Sequence, residues 1–347
     1  MTTPSFTITQ PTQLHFGENA SQSLPRVLKS FGGSKPLLVI DPGLCQAGLD
    51  ADITAPLDEA GMKYTVTTKV DPEPGLRLAD GAAQLARKNK CDCLVGAGGG
   101  SAMDIAKAAA ILLTNGGKAV DYLGLGKIKK PGVPKIMIPT SAGTGSEVTF
   151  TAVFINEKTG SKGGMNGDPL YPEAAILDPL LTLSLPPRVT ASTGLDALIH
   201  ALEAYTSIQA HPVSEMYSLE AMNLILGNIR TAFADGRNIQ ARSNMLLGSL
   251  LGGKALAMAG VGLVHAMSYP LGGMFGIPHG LANAVLLPYV TEYNLMGNLE
   301  KYTPLAALLG YETDRMPLRE SAMLAVEGLF HLNADLDIPE TLADLGI

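Results

Sequence analysis

The pattern of apolar residues changes character once along this chain, and that change restricts the fold more than any other feature. Up to Leu185, short apolar runs alternate with helical periods. Lys35-Pro-Leu-Leu-Val-Ile-Asp41 reads as a buried strand, residues 62–70 as another, 76–88 as a helix and Cys91-Asp-Cys-Leu-Val-Gly-Ala97 as the next strand. A helix over 102–113 then leads to the strand Lys135-Ile-Met-Ile-Pro139. Strands alternating with helices predict a mostly parallel sheet with right-handed crossovers, an architecture that binds nucleotides beyond the carboxyl ends of its strands. Residues 5–16 alternate well enough for an edge strand at its start. Beyond Leu185-Pro-Pro187 the pattern turns to long Ala/Leu/Met stretches at helical spacing with almost no β-branched runs. The reading is an α/β unit over 1–185 followed by an all-α unit over 186–347.

A chain of 347 residues is long enough for two such cores. Its 25 basic and 32 acidic residues leave a net charge of −7, and no Lys/Arg cluster suits a nucleic acid or a membrane surface. The short run Lys127-Ile-Lys-Lys130 reads as a solvated loop. No apolar stretch approaches about 18 residues, and the start Met1-Thr-Thr-Pro-Ser-Phe is neutral, so a cytoplasmic location is expected. Cys45, Cys91 and Cys93 cannot all pair. Cys91 and Cys93, two apart in the expected strand, would share one face without bridging and are read as reduced core thiols.

Asp196 and His200 lie four apart in a stretch with apolar Leu195, Leu198, Ile199 and Leu202, so one helical face presents a carboxylate and an imidazole together. Taken alone, that spacing also fits a surface pair. His265 and His279, however, offer two more nitrogens around an apolar, glycine-rich bend with few acids nearby. Three nitrogens and one oxygen suit Fe(II) or Zn(II) better than Mg(II) or Ca(II), which want mostly oxygen.

In the first half, Gly98-Gly99-Gly100-Ser101 stands between a strand and a helix, with Asp104 one turn in. Such a loop lets backbone N–H groups approach a phosphate at a helix N-terminus; it equally fits a tight turn with Ser101 as cap. It is not a Gly-x-Gly-x-x-Gly fingerprint, and it follows a later strand than that motif does. A second polar loop, Pro139-Thr-Ser-Ala-Gly-Thr-Gly-Ser-Glu147, has small residues and hydroxyls that fit a pyrophosphate or nicotinamide. Asp41, ending a strand, is either a ribose acceptor that favours NAD over NADP or a turn former before Pro42-Gly43.

With these segments in order, the chain resembles the iron-containing, group III alcohol dehydrogenases. The resemblance rests on Gly98-Gly-Gly-Ser-Ala-Met-Asp-Ile-Ala-Lys107, Pro139-Thr-Ser-Ala-Gly-Thr-Gly-Ser-Glu-Val148, Leu177-Asp-Pro179, Gly194-Leu-Asp-Ala-Leu-Ile-His200, His265-Ala-Met-Ser and Pro278-His-Gly-Leu-Ala-Asn283, and spans nearly the whole chain. It implies a dinucleotide-binding α/β domain with a parallel sheet, an all-α metal- and substrate-binding domain (dehydroquinate synthase-like architecture), and a cleft between them. It further implies Asp196, His200, His265 and His279 as metal ligands. Asp41, Gly98, Gly99, Gly100, Ser101, Asp104, Thr140, Ser141, Thr144 and Lys162 would line the NAD site. A dimer or larger homo-oligomer is implied too.

The expected reaction is reversible hydride transfer between a small primary alcohol or aldehyde and NAD(H), with the substrate oxygen on the metal as Lewis acid. His265 and His279 are catalytic through that metal, and Val153, Leu256, Met274 and Phe275 suggest an apolar substrate lining. Tyr269 stands where many members carry a proton-relaying histidine; a phenol, with a reference pKa of roughly 10, is the poorer relay at neutral pH. Members usually continue beyond the position of Ile347 with an Asn-Pro-Arg motif not found here, so one cleft wall is expected to be short. The alternatives are an inactive nucleotide- and metal-binding homologue and a hydroxyacid–oxoacid transhydrogenase, whose members also carry a tyrosine there. A dehydroquinate synthase-type lyase would need a Lys/Arg cluster facing the metal, and the flanking segments contain almost none.

Overall fold

The protein is described by a computed structural model over residues 5–347; the first four residues of the expected α/β domain lie outside the described residues. Nine strands occur among these residues: β1 (Gln13–Phe16), β2 (Pro36–Ile40), β3 (Thr65–Thr67), β4 (Cys93–Gly98), β5 (Gly124–Leu125), β6 (Lys135–Pro139), β7 (Thr151–Ile155), β8 (Lys162–Asn166) and β9 (Ala174–Leu177). The α-helices of the first half are α1 (Leu24–Ser30), α2 (Pro42–Ala47), α3 (Ala51–Glu59), α4 (Leu76–Asn89) and α5 (Gly100–Asn115). The second half is helical: α6 (Pro187–Thr206), α7 (Pro212–Ala234), α8 (Ile239–Ala259), α9 (Leu263–Phe275), α10 (His279–Leu295), α11 (Leu299–Leu308) and α12 (Leu318–Asp335). No single helix among the described residues is long and apolar enough to cross a membrane.

Six strands form one sheet in the order β1-β9-β6-β4-β2-β3, with every neighbouring pair parallel. Both faces are covered, which is why β2, β4, β6 and β9 are buried at every position instead of alternating. Leu37, Val39, Leu94 and Met137 face a core shared with α4 and α5; Leu38, Ile40, Val95, Ile136 and Ile138 face the opposite core, shared with α1 and α3. After β2 the chain turns to one face through α3, and after β4 it turns to the other through α5. The adjacent strands β2 and β4 therefore mark the point where the winding reverses, and their carboxyl ends are where such a sheet receives a ligand. A smaller sheet, β5-β8-β7, pairs β7 antiparallel and β5 parallel to β8.

Two expectations are corrected. The edge strand shrinks from 5–16 to Gln13–Phe16, because Phe6 stacks on the His211 ring at 3.9 Å instead of extending the sheet. Cys91 precedes β4, so it shares no strand face with Cys93; of the three free thiols only Cys93 is fully buried.

The residues group into two compact units. One holds Thr9–Ser141 and Gly145–Ser184; the other holds Leu185–Ile347 with Ala142–Thr144 and residues 5–8.

Candidate metal centre and cofactor loops

Helix α6 starts at the paired prolines, with Pro187 at its first position, where a missing N–H costs nothing. It is buried on almost every side, and three of its buried side chains are carboxylates or imidazole: Asp196, His200 and Glu203. Their spacing of four and three places them along one face. Helix α10 packs backbone to backbone on this helix, since a Cβ at Gly280 would lie 2.4 Å from the Ser192 carbonyl oxygen. That close approach delivers His279, the first residue of α10. His265 comes from the first turn of α9.

The result is a tight group: one carboxylate oxygen of Asp196 and one ring nitrogen each of His265 and His279 all lie within 4.8 Å of one another. Asp196 Oδ1 is 3.7 Å from His265 Nε2 and 3.8 Å from His279 Nε2. The fourth expected ligand, His200, does not join that set; its ring stacks on His265 with centroids 4.7 Å apart, and its Nδ1 is 3.3 Å from the Gly143 carbonyl oxygen. Tyr269 lies beside the group, its ring centroid 5.7 Å from that of His279. Met274 and Phe275, expected in a substrate lining, are exposed at the end of α9.

Two residues that sequence reasoning misses complete the centre. Asn283, wholly buried one turn after His279, donates from Nδ2 to Asp196 Oδ1 at 2.7 Å, and the same nitrogen is 3.3 Å from Nε2 of both His265 and His279. Its Oδ1 has no hydrogen-bond partner among the described residues. One amide nitrogen thus sits among a carboxylate oxygen and two imidazole nitrogens, a set of ligand atoms that fits a borderline divalent cation. Glu203 accepts from His265 Nδ1 at 2.7 Å. Its one sequence signal, an acid seven residues after Asp196 on the same helical face, does not set it apart from an ordinary polar residue.

The electrostatics agree with a cation site. Burial opposes ionisation of Asp196, but His200, His279, His265 and the Asn283 N–H outweigh it and hold the carboxyl at about 2. Burial pushes His200 down, favouring the neutral form that can ligate a metal.

In the α/β unit, three of the expected cofactor segments meet at the carboxyl ends of β2, β4 and β6. Asp41 N–H donates to the Ala97 carbonyl at 2.9 Å, and Thr140 N–H to that of Gly98 at 3.0 Å. Gly98 has φ +148° and a Cβ there would sit 2.6 Å from Asp41 Cβ, so no other residue fits. Gly99 begins α5 with no side-chain cap, leaving its first N–H groups free to face an anion. Ser141 lies beside Gly99.

Other expected contacts are turned elsewhere. Asp41 caps α2 through Gly43 N–H at 2.7 Å. Ser101 Oγ donates to the Pro72 carbonyl at 2.7 Å, and Lys162 pairs with Glu73 at 2.7 Å. Both Asp104 oxygens are occupied, by Ser146 Oγ at 2.6 Å and Val153 N–H at 2.8 Å, so Asp104 braces the polar loop from behind. Thr144 belongs to the helical unit.

Known proteins carry the same two-part arrangement. The profile of iron-containing alcohol dehydrogenase matches residues 11–179, and that of the Fe-containing alcohol dehydrogenase family C-terminal region matches 190–347. Long-chain-alcohol dehydrogenase 1 of Geobacillus thermodenitrificans is 44% identical over 340 residues, covering 97% of this chain and 86% of the relative. The crystal structure of 1,3-propanediol oxidoreductase superposes with a TM-score of 0.96 at 38% identity, covering 99% of this chain and 90% of that one. Sulfoacetaldehyde reductase from Bifidobacterium kashiwanohense, solved in complex with NAD+, has a TM-score of 0.89 at 30% identity, covering 99% and 89%. The chain belongs to the iron-containing alcohol dehydrogenase family of NAD-dependent oxidoreductases.

Proposed function

We propose that this dehydrogenase acts on small primary alcohols and their aldehydes, with Asp196, His200, His265 and His279 holding Fe(II), or Zn(II) in its place. The convergence of Asp196 Oδ1 and two imidazole nitrogens on one point carries the reading. When bound, the metal supplies Lewis acidity toward the substrate oxygen and NAD supplies the hydride acceptor. Residues 1–185 are the dinucleotide-binding part and 186–347 the metal- and substrate-binding part.

The chain's own groups then divide the work. The uncapped start of α5, with Gly98, Gly99, Gly100 and Ser101, binds the pyrophosphate through backbone N–H groups. Asp41 accepts from the adenosine ribose and repels a 2′-phosphate, which favours NAD. Thr140, Ser141 and Thr144 contribute hydroxyls, while Asp104 and Lys162 hold the surrounding loops through Ser146, Val153 and Glu73. Tyr269, beside His279, passes on the proton released from the alcohol hydroxyl. The same reading carries a cytoplasmic location and a homodimer or larger assembly in which the edge strand β1 is the pairing surface.

NADH oxidation with a panel of short aldehydes tests the proposal, comparing chelator-stripped protein with the same protein reconstituted anaerobically with Fe(II). Turnover only after reconstitution is expected. Equal turnover in the stripped sample contradicts a metal-dependent reaction.

A further inference from the structure

Glu203 is buried one turn beyond His200 on α6, and its carboxylate is fully committed. Oε2 receives His265 Nδ1 at 2.7 Å and Gly262 N–H at 2.7 Å; Oε1 receives Val264 N–H at 2.6 Å. Gly262 and Val264 flank the start of α9, so one carboxylate caps the helix that carries His265 and grips the ring itself. The approach is close enough that a Cβ on Gly262 would lie 2.9 Å from Oε1. No other side chain among the described residues caps this helix start.

We infer that Glu203 is the positioning residue of the metal centre: by accepting from His265 Nδ1 it fixes the ring tautomer and leaves the Nε2 lone pair directed at Asp196 and His279. An ionised carboxylate only accepts, so the ring nitrogen facing it must carry the proton, and the opposite nitrogen must be the acceptor. The interaction also sets the ring plane, because Oε2 is itself tied to the backbone of the turn that carries His265. Carboxylate partners of ligating histidines act in this way, raising ligand basicity and orienting the ring. Glu203 and Asp196 share α6, so the ligand carboxylate and the positioning carboxylate are held on one rigid element, one turn either side of His200.

The inference rests on the metal reading of Asp196, His265 and His279, and its test separates the two. Zn(II) affinity is measured on the stripped full-length chain by competition with a chromophoric chelator, for the wild type, Glu203→Gln, His265→Ala and the double variant. Glutamine keeps the shape but sets an N–H2 against either His265 Nδ1–H or a backbone N–H of α9. Glu203→Gln is expected to weaken Zn(II) binding about 10- to 100-fold, and to add nothing once His265 is alanine. Melting temperature should fall on Glu203→Gln in both backgrounds, reporting the lost helix cap separately.

Wild-type affinity in Glu203→Gln, with binding lost in His265→Ala, overturns the positioning role and leaves the metal reading intact. An equal loss in both backgrounds also overturns it, reducing Glu203 to a cap. Unaltered affinity in His265→Ala overturns the metal reading itself. Should the glutamine variant fail to fold, histidine 15N spectra of the wild-type chain with Zn(II) decide: a protonated Nδ1 on His265 is expected, and a protonated Nε2 contradicts the inference.

Discussion

Two buried polar clusters, one in each unit, gather polar atoms around a single nitrogen, and they differ in whether that nitrogen carries a charge. In the α/β unit Lys107, fully buried on α5, points its ammonium at the carbonyls of Ser146, at 2.9 Å, and Thr151, and pairs with Asp104 at 3.4 Å. Burial pushes Lys107 down, and Asp104 opposes that. In the helical unit the acceptors are a carboxylate and imidazole nitrogens, and the atom they surround is a neutral amide nitrogen. Hard carbonyl oxygens around a tethered ammonium make a strut that holds a loop. Borderline imidazole nitrogens and a carboxylate around a point the chain does not charge suit a divalent metal. The chemistry of the acceptors, more than the depth of burial, separates the structural cluster from the reactive one.

The largest effect should come from removing an acceptor in the helical cluster. His265→Ala is expected to lose bound metal and to lower kcat/KM by about 100-fold or more, because Lewis-acid assistance is worth several kcal/mol. A variant that retains both its metal and full activity would break the comparison. Lys107→Met should do the reverse, costing about 3–5 kcal/mol of stability by stranding Asp104 and the loop carbonyls. Urea unfolding measures that loss, and metal content per folded chain should be unchanged.

Gly280→Ala comes next. Its Cβ would press on backbone, not on a flexible side chain, so overpacking of about 1–3 kcal/mol is expected together with weaker metal binding as His279 shifts. A variant with native melting and native metal affinity would show that α10 does not owe its position to this contact.

Glu147 sharpens the contrast through pH. It is buried near Lys107 with no partner for Oε1 among the described residues, and burial raises its carboxyl from 4.5 to about 7 despite the nearby ammonium. With the folded value above the unfolded one, the native state binds the extra proton between those limits. Its contribution to stability is complete below about 4.5 and is lost as pH climbs to about 7. Glu147→Gln should flatten the pH dependence of unfolding in that window; an unchanged curve would remove Glu147 as its source. The smallest effect is expected at Asp41, where substitution by glycine should relax rejection of NADPH without altering metal content. An unchanged NADH:NADPH preference would take Asp41 out of the ribose site.

The alternation of apolar runs with helical periods makes β2, β4, β6, α4 and α5 legible in the sequence, because strands buried on both faces need unbroken apolar stretches. β9 is not, since Ala174-Ala-Ile-Leu177 is too short and too rich in alanine to stand out. At the centre, histidines are conspicuous against apolar helices, whereas Glu203 and Asn283 look like ordinary polar residues until α9 and α10 are packed against α6. Lys107 is illegible for the same reason: a lysine in a helix reads as solvent-facing, and only the fold supplies the carbonyls that bury it. Side chains that react show in composition and spacing; those that hold them do so through contacts made far along the chain.

Anomalous scattering from crystals loaded with Fe(II) or Zn(II) would locate the ion among the proposed ligands. One peak is expected within about 2.0–2.2 Å of Asp196, of Nε2 on His265 and His279, and of a ring nitrogen of His200. A peak bound by other residues, or none in protein that turns over alcohol with NAD, would contradict the account.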